Sequence, residues 1–121
     1  MFIKDFYKYE TEKAANGEIN AVVYLNPEHE IYKGHFPGRP VVPGVCQMLI
    51  VKEILSDVLK KDIRLVSSKS IKFLSVIDPE KVVKVRVSIS YKQEEGKIKA
   101  AAGIFNDEIK FFKLKGVYGE R

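Results

Sequence analysis

Residues 81–91 read KVVKVRVSISY, and this stretch shows the clearest alternation of apolar and polar side chains in the chain. Apolar side chains occupy alternate positions at Val83, Val85, Val87, Ile89 and Tyr91, and lysine, arginine and serine fill the positions between them. Since neighbouring side chains of a β-strand point to opposite faces, this period of two predicts a strand with one buried face. The fold therefore begins from a half-buried strand.

Further strands are predicted on both sides of this one. A turn at 93–96 leads to a second alternating stretch, 98–104, and together they predict a hairpin. After a turn at 106–107, the β-rich stretch 109–118 changes face around Phe111 and Phe112, which indicates a bulge or a strand buried on both sides. Strands are also predicted at 2–9, 19–25 and 64–77.

Residues 43–60 lack this alternation and predict one helix of about five turns. Pro43 suits a first helical position. On a helical wheel the apolar side chains share one broad arc and the polar ones the opposite arc: Met48, Val51, Ile54, Leu55, Val58 and Leu59 against Glu53, Ser56, Asp57 and Lys60. One long helix among mostly antiparallel strands predicts the α+β class, with an antiparallel sheet curled around the helix.

Length and composition limit the possible classes of protein. The chain has 121 residues, 45% hydrophobic and 31% charged, which predicts one globular domain over 1–121 and excludes a disordered chain. The net charge of +5 is scattered, so a nucleic-acid-binding stripe is not indicated. No stretch is typical of a signal peptide or a membrane span, and the single Cys46 excludes an intramolecular disulfide. A cytoplasmic protein without membrane insertion is the resulting expectation.

The segment between strand and helix, residues 34–45, reads GHFPGRPVVPGV and carries the candidate chemistry. Its prolines recur at every third position, which restricts the backbone and holds the loop in shape. His35 is the general acid or base there with a pKa near neutrality. Gly44 opens the helix, where unpaired amides and the helix dipole are able to stabilise a developing oxyanion.

The stretch 35–45 resembles, nearly residue for residue, the signature of the hot-dog-fold 3-hydroxyacyl-[acyl-carrier-protein] dehydratases of bacterial fatty-acid synthesis. The order of strand, helix and four strands is also similar to that family's. The resemblance implies a homodimer whose sheets join, acyl tunnels at the interface, and neither metal nor organic cofactor. It implies that His35 is the catalytic histidine and that the Gly44 amide polarises the thioester carbonyl, so that 3-hydroxyacyl thioesters are dehydrated to trans-2-enoyl thioesters.

The sequence departs from the family at one catalytic position. The family's second catalytic residue is a helix Glu or Asp fourteen positions after the histidine, supplied by the other subunit, and Leu49 stands there. Two nearby side chains are candidates to assist the leaving hydroxyl. Glu53 lies one turn further along the helix, although it belongs to the polar arc and solvation is its simpler explanation. Gln47 projects into the apolar arc, where its amide either bonds core backbone or holds a water or the substrate hydroxyl.

Two other functions remain open at this stage. The loss of the carboxylate at Leu49 favours a non-catalytic protein that binds acyl carrier or acyl thioester. Alternatively, Cys46 in the first helical turn would act as a thioesterase nucleophile, although an inert buried cysteine is commoner. Glu28, His29 and Glu30 are too closely spaced to face one metal ion, so a solvated loop is expected there.

The resemblance also implies an acidic partner or an acyl thioester as substrate. Acyl carrier proteins are acidic, and Lys33, Arg39, Lys69 and Lys72 are candidates to steer one towards the tunnel mouth. Acyl-CoA thioesters are the alternative substrates.

Overall fold

The structure is a computed structural model that describes residues 5–32, 40–107 and 109–121. It contains six strands, a short 3₁₀ helix at Glu30–Tyr32 and one α-helix. The elements in chain order are β1 (Tyr7–Ala15), β2 (Glu18–Leu25), α1 (Gly44–Leu59), β3 (Ile63–Phe73), β4 (Lys84–Glu94), β5 (Lys97–Asn106) and β6 (Ile109–Glu120). The strands form one antiparallel sheet in the order β1-β2-β4-β5-β6-β3. The predicted α+β class with an antiparallel sheet and one long helix is confirmed.

The core lies between the helix and one face of the sheet. On β4 the alternating Val85, Val87 and Ile89 are all about 1% exposed, as the period of two predicts. The helix contributes Ile50, Val51, Ile54 and Leu55, each at most 1% exposed. Burying such side chains is the main favourable contribution to folding.

Both ends of the helix lie within one residue of the predicted limits at 43 and 60, and Pro43 precedes the first helical residue instead of occupying that position. Pro43 is the N-cap, with extended backbone angles, and the helix runs from Gly44 to Leu59. Lys60 adopts a left-handed conformation as C-cap, and its N–H donates to the Ser56 carbonyl. A left-handed residue at this position is a common helix stop.

The N-terminal strand was placed too early by the pattern. Residues 2–9 predict a strand, but β1 is Tyr7–Ala15 and shares only its first three residues with that stretch. Because β1 is an edge strand whose residues are mostly exposed, its second half shows no hydrophobic alternation. Asn16 and Gly17 both have positive φ and make the two-residue turn to β2, and this Asn-Gly pair is the signal that locates the hairpin.

Other strand limits shift by a few residues. β3 ends at Phe73 rather than at 77, because the Leu74 and Ser75 amides both bond the Phe111 carbonyl. β4 starts at Lys84 rather than 81, because the Lys81 and Val82 amides donate hydrogen bonds to the Asp78 carbonyl in a turn. The predicted irregularity in β6 is present: the register shifts between Ile104 and Phe105, and both Phe111 and Phe112 are buried.

Among the described residues, no helix is long and apolar enough to cross a membrane.

Candidate active site

His35 lies outside the described residues, as do Lys33 and Arg39. Its catalytic role therefore stays a prediction. The helix end that follows it in the sequence is described from Pro40 onward, and it carries the other candidate residues.

The tip of the helix at Gly44 presents free backbone donors. No carbonyl in the described part of the chain accepts a hydrogen bond from the Gly44 or Val45 amide, whereas the Cys46 and Gln47 amides bond the Pro43 carbonyl. Within the described chain, the N-cap residue Pro43 provides no side-chain hydrogen bond to this end. Orphan amides at a helix N-terminus, with the positive end of the dipole, form a site that favours negative charge.

A cavity of about 440 Å³ opens beside this tip. It is lined by the chain before the helix, the first helical turn and the chain after β3: Val41, Val42, Gly44, Gln47 and residues 73–76. The Phe73 ring approaches Gly44 so closely that an added Cβ would lie 2.8 Å from the ring carbon Cζ. A glycine is therefore required at 44 as long as this ring stays in place.

Gln47 is buried, as its place in the apolar arc predicts, with 4% of its surface exposed. Its amide nitrogen Nε2 donates to the Val42 carbonyl at 3.3 Å. Its carbonyl oxygen Oε1 is also buried, and no described residue donates to it. The Gln47 amide thus bonds backbone, the first of the two alternatives given for it, and the group left without a partner among the described residues is its acceptor oxygen Oε1.

Glu53 is not the solvated residue that the polar arc suggests. It is half-buried, its Oε1 is inaccessible to solvent, and no described residue offers that oxygen a hydrogen bond. Burial raises the pKa of its carboxyl group. Nine residues separate Glu53 from Gly44, or about 13.5 Å along the helix axis. Gly44 and Gln47 thus share a cavity, and Glu53 of the same chain lies outside it.

Tyr7 lies near Glu53 and Tyr32 lies near Cys46, and the sequence analysis singled out neither tyrosine. The Tyr7 hydroxyl lies near enough to the Glu53 carboxylate that burial and this negative charge together raise the Tyr7 pKa. Burial and the Cys46 sulfur raise the Tyr32 pKa. Both hydroxyls are buried, and neither has a partner with hydrogen-bond geometry among the described residues. Nothing in the sequence pattern indicates this cluster, because it joins β1, the 3₁₀ helix and α1.

We expect Glu53→Gln to stabilise the protein at neutral pH. The raised pKa means that the folded state holds the Glu53 proton more tightly than the unfolded state, so stability falls as pH rises through that pKa. Thermal unfolding should therefore show the variant more stable than wild type near pH 8, with the difference vanishing near pH 4.

Glu94→Gln is the matched control for this measurement. Lys92 and Lys99 lower the pKa of the Glu94 carboxyl, so at neutral pH this ionised carboxylate stabilises the folded state instead of destabilising it. Replacing it in Glu94→Gln should therefore give no gain in stability at neutral pH. Equal pH profiles for Glu53→Gln and wild type would contradict the assignment of Glu53.

Cys46 does not have the features of a nucleophile. Its side chain is 1% exposed, and burial raises the pKa of its thiol. A reactive cysteine requires an accessible thiolate. Within the described ranges, no three His, Cys, Asp or Glu side chains are grouped so as to hold a metal. His29 Nδ1 instead accepts the Ile31 amide, and its ring packs edge-on against Phe6.

Exposed apolar side chains surround the cavity mouth. Val45 is 64% exposed, Phe73 53%, Leu74 46% and Val76 68%. Large apolar groups clustered on a surface mark an interaction site. The steering candidates Lys69 and Lys72 are exposed on the neighbouring edge strand β3.

Comparisons with known proteins show similarity to dehydratases. The 3-hydroxyacyl-[acyl-carrier-protein] dehydratase FabZ of Lactobacillus helveticus is 31% identical over 83 residues, covering 62% of this chain and 56% of that protein. FabZ of Novosphingobium aromaticivorans is 29% identical over 66 residues, covering 54% of this chain and 42% of that protein. The chain thus spans about half the length of these curated relatives.

A solved structure shows the same fold over nearly the whole chain. The structure described as the dehydratase heterocomplex ApeI:P from Xenorhabdus doucetiae contains a chain that matches with a TM-score of 0.73 and 21% identity, covering 92% of this chain and 95% of that one. The predicted hot-dog fold is thereby confirmed. The sequence model of the ApeI-like protein family, described as ApeI dehydratase, matches residues 10–109. This match covers well over half of the sequence, and the chain belongs to the ApeI-like dehydratase family.

Proposed function

We propose that this protein acts on 3-hydroxyacyl thioesters, removing water to give trans-2-enoyl thioesters in fatty-acid or related lipid or polyketide synthesis. Residues 1–121 form one hot-dog protomer in this proposal, and the acyl group is carried by an acyl carrier protein or by CoA. Membership of a dehydratase family supports the reaction type. No cofactor takes part in the proposed reaction.

The observation that carries the proposal is the uncapped helix tip beside an apolar cavity. The Gly44 amide is unpaired within the described chain, and the cavity walls are mainly valine, leucine and phenylalanine. Such walls suit an acyl chain, and the amide suits a thioester oxygen that gains negative charge.

In the proposed reaction the Gly44 N–H donates to the thioester carbonyl oxygen. His35 removes the proton from C2, and the electron pair of that C–H bond becomes the C2–C3 double bond through an enolate-like state. The C3–O bond then breaks, and the oxygen leaves as water after it gains a proton. Each proton transfer of this kind, made by a positioned side chain, raises the reaction rate by about 10²- to 10⁴-fold.

The proton for the departing oxygen needs a source, because Leu49 stands where the family has its acid. Gln47 is an amide and has no proton to give. Glu53 is the candidate acid, since its raised pKa leaves more of it protonated near neutral pH. Because Glu53 of the same chain lies about 13.5 Å from the helix tip, the proposal requires Glu53 of a second copy.

A second copy is supported by the surface around the site. β3 is an edge strand, so its outer backbone groups have no strand partner in the part of the protomer that the structure describes. The exposed apolar side chains at Val45, Phe73 and Val76 lie near its end. We propose a homodimer in which these surfaces are covered. A heterocomplex is the alternative, in which a related chain would supply the carboxylate that is absent at Leu49; ApeI:P is described as a dehydratase heterocomplex.

The test is to incubate the purified protein with 3-hydroxyacyl-CoA and with 3-hydroxyacyl carrier protein, and to follow loss of water by mass spectrometry. Enoyl thioester is expected. Release of free thiol would support a thioesterase instead. Tight binding without product would favour the non-catalytic binding protein, for which the absence of a carboxylate at Leu49 is the specific argument.

We expect Gly44→Ala to lower turnover by about tenfold to a hundredfold, because small displacements in an active site have effects of this size. The new Cβ would lie 2.8 Å and 2.9 Å from two carbons of the Phe73 ring. This ring is more than half exposed, so it is able to move, and the fold should survive.

Gly103→Ala is the matched control, because a Cβ there meets only the Phe112 carbonyl oxygen, at 3.6 Å. Steady-state kinetics and thermal unfolding of both variants check the prediction. Equal turnover in the two variants would argue against a role for the helix tip.

A further inference from the structure

The Oε1 atom of Gln47 is a hydrogen-bond acceptor that has no donor among the described residues. The residue is 96% buried, since 4% of its surface is exposed. One N–H of its Nε2 donates to the Val42 carbonyl, and this bond identifies Oε1 as the end of the amide that has no partner among the described residues. A buried polar atom without a partner is costly, so an isolated acceptor in a native core indicates a missing donor.

Gln47 lies where the acyl chain of the proposed substrate would pass. It follows Gly44 by three residues, so the two lie on the same side of the helix, about 4.5 Å apart along its axis. Both line the same cavity. Suppose that the thioester carbonyl oxygen accepts a hydrogen bond from the Gly44 amide. C3 of the acyl chain is then two bonds from the carbonyl carbon, and this distance is shorter than the separation between Gly44 and Gln47.

The other cavity walls offer little that is able to bind a hydroxyl group. Val41, Val42, Leu74, Val76 and the Phe73 ring are apolar. Ser75 is the second polar side chain on the cavity wall. It is exposed, so its hydroxyl group is able to form hydrogen bonds with solvent water. Phe73 covers Gly44 and is more than half exposed, which makes it the wall that is able to move when a chain enters.

We propose that Gln47 Oε1 accepts the hydrogen bond of the 3-hydroxyl group, and that the site thereby selects acyl thioesters hydroxylated at C3 over unsubstituted ones. This inference rests on the proposed function, because it uses the same cavity. Gln47 is a positioning residue: it orients the hydroxyl group, leaves the oxygen lone pairs free for a proton donor, and transfers no proton itself. An unsubstituted chain leaves Oε1 unpaired, and sites of this kind discriminate strongly against a substrate that lacks the hydrogen-bonding group.

The experiment measures binding of matched pairs of thioesters in a His35→Ala background, where turnover is suppressed. The probes are 3-hydroxyhexanoyl-CoA with hexanoyl-CoA, and 3-hydroxyoctanoyl-CoA with octanoyl-CoA, measured by calorimetry. The hydroxylated member of a pair should bind roughly tenfold more tightly, the value of one net hydrogen bond. Gln47→Leu should abolish this preference by weakening the binding of the hydroxylated member relative to its unsubstituted partner, whereas Ser75→Ala should retain the preference.

Several results would overturn the proposal. Equal binding within both pairs, or a preference that persists in Gln47→Leu, contradicts the role of Gln47 while leaving the proposed function intact. Failure of every thioester to bind overturns the proposed function together with this inference. If Gln47→Leu does not fold, Gln47→Met replaces it, because an unbranched side chain of similar length fills the same space.

Discussion

Leu49→Glu is expected to raise the rate of dehydration over wild type by as much as about 10²- to 10⁴-fold, the full contribution of one general acid, and by less to the extent that Glu53 of a second copy already donates the proton. The reason is that Leu49 occupies the position of the helix carboxylate in the hot-dog-fold 3-hydroxyacyl-[acyl-carrier-protein] dehydratases whose signature this sequence resembles. The helix face around it tolerates the change, because Leu49 is only half-buried and Val45, one turn earlier, is 64% exposed. The measurement is the initial rate of enoyl formation from 3-hydroxyacyl-CoA.

Leu49→Gln is the control that separates acidity from polarity. Glutamine has nearly the shape of glutamate and no proton to donate, so this variant should stay at the wild-type rate. If both variants accelerate the reaction equally, the polar environment rather than proton donation explains the gain. If neither does, the acid comes from elsewhere, and Glu53 of a second copy or a different partner chain becomes the main explanation.

The regular helix and strands were predictable because the spacing of their apolar side chains indicates which face of each element is buried. The alternation from Val83 to Tyr91 gives the strand β4, and the apolar arc around Ile54 gives the helix. β1 was misplaced because an edge strand has little buried surface to impose a pattern. Strand limits near Phe73 depended on hydrogen bonds to a distant carbonyl, which local sequence does not encode.

The helix tip of the candidate site was predictable from the sequence, and the side chains packed around it were not. Its loop and helix tip are contiguous in sequence, so the position of Gly44 followed from local signals. The burial of Gln47 followed from the helical period. By contrast, the contact of Phe73 with Gly44 and the place of Tyr7 beside Glu53 join segments far apart in the chain. Periodicity within one element says nothing about which neighbour covers it.

The second large effect is expected for His35→Ala, which should lower turnover by about 10²- to 10⁴-fold while thioester binding is largely kept. In the proposed reaction the imidazole touches only the proton that moves, whereas the Gly44 amide and the apolar walls hold the substrate. The rate of enoyl formation and the affinity for the same thioester are measured side by side, so that loss of chemistry is separated from loss of binding.

His29→Ala is the comparison that gives this result its meaning, since His29 and His35 are the two histidines of the chain. His29 accepts the Ile31 amide and packs against the Phe6 ring, so its removal should lower the unfolding temperature more than the rate. A catalytic imidazole requires the opposite result at His35, with unchanged unfolding and a reduced rate. If the two variants lose turnover and stability in parallel, the loop histidine supports the fold rather than the reaction, and the Gly44 cavity is better explained as a binding site without catalysis.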